Sequence, residues 1–338
     1  MIGKIQGTGA YVPPKILENQ QLEKWVETND TWIRERTGVQ RRHVVAKPEE
    51  STAFLATQAA RQALKEARIK PEELDLILVS TVSADQMMPG TACLVQKELG
   101  AVRAAAFDLN AACSGFLVSY ITACAYIESG LYQKILIIGS ETLSNIVDWE
   151  DRGTCILFGD GAGAIVLTAE EEQKDERKYR PVLHSDGNQG KALTLQNRYH
   201  LNPFKQQQTF EREKESIVAG NKKDYVRMDG QAVFKFAVRK VPEIIQEVLE
   251  ENQMKKEEIK YYVLHQANLR IIEQVAKRLK EPMEKFPVNL QEYGNTSSAS
   301  IPILLHELNR DGKLKSGDRI LLAGFGGGLT WGATILKW

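Results

Sequence analysis

Apolar residues return at helical spacing in some stretches of the chain and run almost unbroken in others. In TAFLATQAARQALKEA (52–67) and VFKFAVRKVPEIIQEVLEE (233–251) they recur every three or four positions, which predicts amphipathic helices with one buried stripe. IKPEELDLILVS (69–80) and MKKEEIKYYVLH (254–265) pass from a short acidic turn into a buried strand. ILIIG (135–139) and ILLAG (320–324) are too uniformly apolar for one exposed face, so they predict strands in sheets covered by helices. LNAACSGFLVSYITACAYI (109–127) carries no charge and meets the length of a membrane span. Its Asn, Ser, Thr, Tyr and Gly residues, and the lack of a partner span, favour a helix buried in a large core.

The pattern is written twice. At an offset of 185, Lys70, Glu72 and Glu73 fall on Lys255, Glu257 and Glu258, and ILIIG falls on ILLAG with Gly139 over Gly324. With a small gap, FGDGAGAIVL (158–167) then matches FGGGLTWGATIL (325–336). One shared offset across these segments implies a duplicated unit. Two such halves, 1–172 and 173–338, would stack into one layered α/β body, with the boundary near residue 170, where the chain turns polar and charged. A second polar stretch at 197–224 has little periodicity and reads as a long surface excursion. Equivalent strand ends of two halves converge at a pseudo-twofold axis, so loops distant in sequence can supply one site. Cys113, His265 and Asn295 lie on such loops, and Asn295 is three residues before Ser298, the counterpart of Cys113 at the same offset.

Composition narrows the function. Lys plus Arg and Asp plus Glu number 44 each, so the global basic excess expected of a nucleic-acid binder is missing. Any acidic partner would have to meet a local patch. The four cysteines (Cys93, Cys113, Cys124, Cys155) are widely spaced and form no zinc-ligand pattern, which predicts no metal site. The opening MIGKIQGTGAYVPP is too short and polar for a signal peptide. Reduced thiols in a cytoplasmic enzyme, with no membrane partner, are the natural expectation.

Candidate chemistry follows from position. Cys113 leads into the long apolar segment, and a helix N-terminus there would lower the thiol pKa and favour thiolate. The alternative, a small buried hydrophobe, suits Cys93, Cys124 and Cys155. His265 leaves a hydrophobic strand in YYVLHQANLRI, where a hydrogen-bonded structural histidine is equally compatible. Asn295, in EYGNTSSAS, reads as a turn residue before a helix as readily as a reactive amide. AGFGGGLTWG (323–332) offers glycines that let backbone approach a ligand and an N–H stabilise an oxyanion. Arg270, Lys277 and Arg278, at i, i+7 and i+8, share one helix face.

Taken together, AACSGF, LHQANLRI, YGNTSSAS and GFGGGLTWG, with NDTWIRERTGV and DRGTCILFGDGAGA, resemble the β-ketoacyl-acyl carrier protein synthase III family over the whole chain. The resemblance implies a thiolase-like duplicated fold, layered αβαβα with two stacked five-stranded mixed sheets. It implies the start of fatty-acid synthesis: an acyl-coenzyme A primer and malonyl-acyl carrier protein as substrates, a homodimer, and no permanently bound cofactor. Cys113 matches the nucleophile, His265 and Asn295 the pair that binds the malonyl thioester, and the N–H groups of Cys113 and Gly327 the oxyanion hole. Trp32, Arg36, Arg152, Phe158 and Asn268 match contacts to coenzyme A. Lys235, Gln266, Arg270, Lys277 and Arg278 match the carrier-protein docking patch. Met88, in DQMMPG (85–90), stands where some members place Phe at the end of the acyl pocket across the dimer interface. A flexible Met there suggests acceptance of branched primers beside acetyl. A hydroxymethylglutaryl-coenzyme A synthase would need a Glu near the cysteine, where DLNAACSGF offers Ala. An idle carrier-binding homologue would lack Cys113 or His265.

Overall fold

The computed structural model describes residues 1–172, 178–196 and 225–338; the polar excursion expected at 197–224 lies outside them. Five strands build the first sheet: β1 (Ile2–Tyr11), β2 (Leu76–Ser80), β3 (Ala105–Leu109), β4 (Lys134–Glu141) and β5 (Gly161–Glu170). They lie in the order β1-β5-β4-β2-β3. The pairs of β2 with β3 and β4 are parallel, and those of β5 with β1 and β4 antiparallel. The second sheet holds β6 (Val182–Ser185), β7 (Tyr261–Leu264), β8 (Arg319–Gly326) and β9 (Thr330–Lys337), ordered β7-β8-β9-β6.

The helices of two turns or more among the described residues are α1 (Asp30–Thr37), α2 (Thr52–Ala67), α3 (Thr91–Leu99), α4 (Gly115–Glu128), α5 (Gly230–Glu251), α6 (Leu269–Leu279) and α7 (Ser300–Arg310). Strand alternation sorts them into layers. Ile77 and Val79 of β2 pack on α2 and α3, while Leu76 and Leu78 face α4 and α7. The far side of α4 and α7 meets Val263, Ile320 and Leu322 of the second sheet, whose other face carries Tyr262 and Leu321 onto α5 and α6. The result is the expected αβαβα stack. Helix α4 lies between two sheets, which accounts for its uncharged sequence.

The 185-residue offset recurs in the geometry. Leu76 pairs with Ile135 across β2 and β4, and Tyr261 with Ile320 across β7 and β8. The acidic turns match too: Lys70 N–H donates to Glu73 Oε2 at 2.9 Å, and Lys255 N–H to Glu258 Oε1 at 2.9 Å.

Two expectations change. The second sheet has four strands among the described residues, not five. At its β7 edge the Gln266 side chain bonds Pro287 O (3.5 Å) and Asn289 N–H (3.1 Å), so a side chain takes the place of a strand ladder. The uncharged stretch 109–127 is not one helix: it is the end of β3, a 3-10 turn at Ala112–Ser114, and α4. Ala112, with φ +46°, breaks the run. No helix among the described residues is long and apolar enough to cross a membrane.

Candidate active site

Cys113 sits in the turn before α4, at the end of the first sheet. The Ser297–Ala299 turn, at the matching place before α7, packs against it. Two glycines permit this crowding. A methyl at Gly139 on β4 would collide with the backbone of Ser298. One at Gly326, ending β8, would stand 2.8 Å from Cys113 N and 3.0 Å from its Cβ. Gly327 follows in the glycine turn, beside Ala112.

Cys113, His265 and Asn295 line one cavity of about 830 Å³. His265 lies just past β7, buried, with Phe325 edge-on at 5.3 Å. Its Nδ1 is 2.7 Å from Ser300 Oγ, which also receives the Gln266 N–H at 3.4 Å. In the Nε2–H tautomer, Nδ1 accepts from the Ser300 hydroxyl and Nε2–H is the ring's donor. Burial holds its pKa down to about 3, so the ring is a neutral donor. Asn295 is set by its backbone, bonded to Leu157 O at 2.8 Å, and its Oδ1 accepts from Ser297 N–H at 2.9 Å. That bond assigns the oxygen and turns the amide NH₂ to the cavity.

The thiol departs from expectation. Burial pushes the Cys113 pKa up to about 12; the Ser297 hydroxyl lowers it and Glu141 adds to the rise. Desolvation therefore outweighs the start of α4, and Cys113 rests as a thiol. Cys155 is buried as expected, Cys124 half-buried, and Cys93 exposed at the surface of α3.

The other residues divide into two groups. Trp32, Arg36, Arg152, Phe158 and Asn268 all line the cavity. The guanidinium of Arg152 stacks 4.8 Å from the Trp32 ring centre and that of Arg36 5.6 Å. Asn268 caps α6 through Arg270 N–H and donates to Arg36 O at 3.0 Å, tying α6 to α1. Arg270 reaches the cavity rim over Phe234 and is exposed, as are Lys235, Lys277 and Arg278. Gln266 does not share that surface. It is 1% exposed, its side chain spent on Leu264, Pro287 and Asn289, and it braces the His265 loop. Met88 lies outside the cavity and is 86% exposed, so in a single chain it lines no acyl pocket.

Sequence reading passed over Ser300, Ser297 and Glu141. Ser300 and Ser297 looked like turn residues, and Glu141 is one carboxylate at the end of an apolar strand. Among the described residues no cluster of His, Cys, Asp or Glu could hold a metal ion.

Two family models match the chain: 3-oxoacyl-[acyl-carrier-protein] synthase III over residues 107–187 and its C-terminal counterpart over 249–338. The β-ketoacyl-[acyl-carrier-protein] synthase III of Clostridium perfringens (strain SM101) is 48% identical, covering 99% of this chain and 98% of that protein. The crystal structure of 3-oxoacyl-[acyl-carrier-protein] synthase III from Aquifex aeolicus VF5 superposes with a TM-score of 0.88 at 45% identity, over 99% of this chain and 100% of that one. The priming β-ketosynthase of the R1128 polyketide pathway superposes at 0.89 with 32% identity, over 99% and 96%.

Proposed function

Because the chain belongs to the β-ketoacyl-[acyl-carrier-protein] synthase III family, we propose that it joins an acyl-coenzyme A primer to malonyl-acyl carrier protein. The products are 3-oxoacyl-carrier protein, coenzyme A and carbon dioxide, and the reaction begins fatty-acid synthesis. The observation that carries this reading is one cavity where a cysteine from the first repeat meets two neutral donors, His265 and Asn295, from the second.

Cys113 Sγ attacks the primer's thioester carbonyl, and the N–H groups of Cys113 and Gly327 receive the oxyanion. Coenzyme A leaves and malonyl-carrier enters. His265 Nε2–H and the Asn295 amide donate to the malonyl thioester oxygen, stabilising the enolate formed as carbon dioxide departs. The carbanion then attacks the acyl-cysteine. Neutral donors suit this step, because a strong acid beside the carbanion would protonate it.

The stacked Trp32, Arg36 and Arg152 side chains suit a nucleotide with phosphates at the cavity rim. Lys235, Arg270, Lys277 and Arg278 present a local basic face to an acidic carrier. The open edge strand β3, with Phe107 exposed, supports a homodimer in which Met88 reaches the partner's acyl pocket and accommodates short branched primers. Four unpaired cysteines suit a reducing cytoplasm.

Mass spectrometry after incubation with acetyl-coenzyme A tests the reading. An acetyl group on Cys113, discharged by malonyl-carrier protein, is expected. Folded protein that takes no acetyl group would leave a carrier-binding scaffold as the better reading.

A further inference from the structure

Arg42, on the short strand Arg41–His43, is fully buried, although arginine rarely leaves water unless paired with an opposite charge. Its three hydrogen bonds all go to neutral acceptors: Nη1 donates to Leu17 O (3.2 Å), and Nη2 to Asn19 Oδ1 (2.9 Å) and Ile156 O (2.8 Å). Nε has no partner. Burial lowers the pKa to about 10, which still leaves a cation at neutral pH. A buried cation held by neutral groups is a poor source of stability, because an apolar side chain of similar volume avoids the desolvation. Its placement points instead to what it holds in register.

What Arg42 holds is the support of Asn295. Asn295 joins residues 157–159 in a parallel bridge: its N–H donates to Leu157 O (2.8 Å), and its own O accepts from Gly159 N–H (3.1 Å). The Arg42 head grips Ile156 O, one residue ahead of that bridge, and its stem passes between Gly159 and Gly294. A methyl on Gly159 would stand 3.0 Å from Arg42 Cβ, and one on Gly294 3.3 Å. Gly294 turns the chain into Asn295 at φ +67° and ψ −159°, a conformation essentially confined to glycine. Arg42 therefore touches both partners of the bridge. The neighbouring tie to α1 is made by Asn19 itself, whose Nδ2 donates to Val39 O (2.8 Å) and Asp30 Oδ1 (2.9 Å).

We propose that Arg42 is a positioning residue for the malonyl half-reaction, holding residues 156–159 so that the Asn295 amide meets the malonyl thioester oxygen. The inference rests on the condensation reading above. Arg42 does not line the cavity, so it acts through Asn295 and not on substrate. The bridge fixes where the Asn295 side chain starts, and a displacement of about 1 Å at a reacting centre can slow a step 10²-fold. The planar fork matters because it reaches Leu17, Asn19 and Ile156, from separate segments, at once. A lysine keeps the charge but lacks that rigid fork. Acylation of Cys113 does not use the Asn295 amide, and the Asn19 tie to α1 does not need Arg42, so the primer half-reaction is spared.

The test follows one turnover of the full-length protein. Cys113 is acetylated by acetyl-coenzyme A, with the rate read by mass; saturating malonyl-acyl carrier protein is then added and the released carbon dioxide followed. Wild type, Arg42→Lys, Asn295→Ala and the double variant are compared, with thermal melts to confirm folding. Arg42→Lys should acetylate within about twofold of wild type but release carbon dioxide roughly tenfold more slowly. Added to Asn295→Ala, the same substitution should change the rate by less than about twofold, because the group it places is gone. A folded Arg42→Lys that releases carbon dioxide within about twofold of wild type overturns the proposal, as does equal slowing in both backgrounds or an equal loss in acetylation. If Arg42→Lys does not fold, Arg42→Gln, which keeps an amide donor, replaces it; if neither folds, Arg42 serves folding alone and the proposal falls. A wild type that releases no carbon dioxide overturns the condensation reading itself, which a slow variant beside an active wild type does not.

Discussion

Acidification from pH 8 to pH 5 charges the histidine of an unfolded chain, whose pKa is 6.5, but leaves folded His265 neutral, because burial holds its pKa at about 3. The unfolded state then binds the extra proton, so stability falls as pH drops below 6.5. Each unit below that value removes about 1.4 kcal/mol, and the span from 6.5 to 5 removes about 2 kcal/mol. His265→Asn deletes the titration and keeps a neutral polar side chain. Urea unfolding of wild type and His265→Asn at pH 8 and pH 5, at one protein concentration, isolates the term. Wild type should lose about 2 kcal/mol more than the variant. Asp160, buried with a pKa raised to about 6, acts in the opposite sense, adding stability as pH falls through 6 toward 4, but it is common to both proteins and cancels. Equal losses would mean that folded His265 takes a proton as readily as the unfolded chain's histidine, and that burial does not hold it neutral.

Ser300→Ala removes the hydroxyl that holds His265 through Nδ1 at 2.7 Å. It should lower the rate of malonyl-carrier decarboxylation roughly tenfold with little change in KM, because the missing interaction matters most in the transition state. Gly326→Ala sets a methyl against the Cys113 backbone. Thermal or urea unfolding should register a loss of about 1–3 kcal/mol, and Cys113 acylation should slow. Lys277→Glu with Arg278→Glu should raise KM for malonyl-carrier protein, most at low salt, while acylation by acetyl-coenzyme A stays unchanged.

Much of the fold was legible because burial writes itself into periodicity. The apolar runs that follow the acidic turns in LDLILVS and YYVLH located strands packed on both faces, and the 185-residue offset foretold matching registers between Leu76–Ile135 and Tyr261–Ile320. What escaped depends on groups that meet only in three dimensions. Cys113 looked like a thiolate because a following helix is visible in sequence, whereas the desolvation that raises its pKa is not. Gln266 belongs to the same LHQANLRI stretch as the exposed Arg270, yet it lies at a sheet edge where its amide replaces strand pairing. Ser297, Ser300 and Glu141 acquire meaning only through their partners in space: Asn295 for the Ser297 N–H, His265 for Ser300 and Ser298 for Glu141.

Isolated acetyl-Cys113 protein, freed of coenzyme A and mixed with malonyl-acyl carrier protein in one turnover, bears most directly on whether the two repeats jointly catalyse condensation. One carbon dioxide and one 3-oxoacyl-carrier per acetyl group are expected, with His265→Ala and Asn295→Ala each suppressing both. Carbon dioxide released without acyl transfer, or an acetyl group that malonyl-carrier cannot discharge, would contradict it.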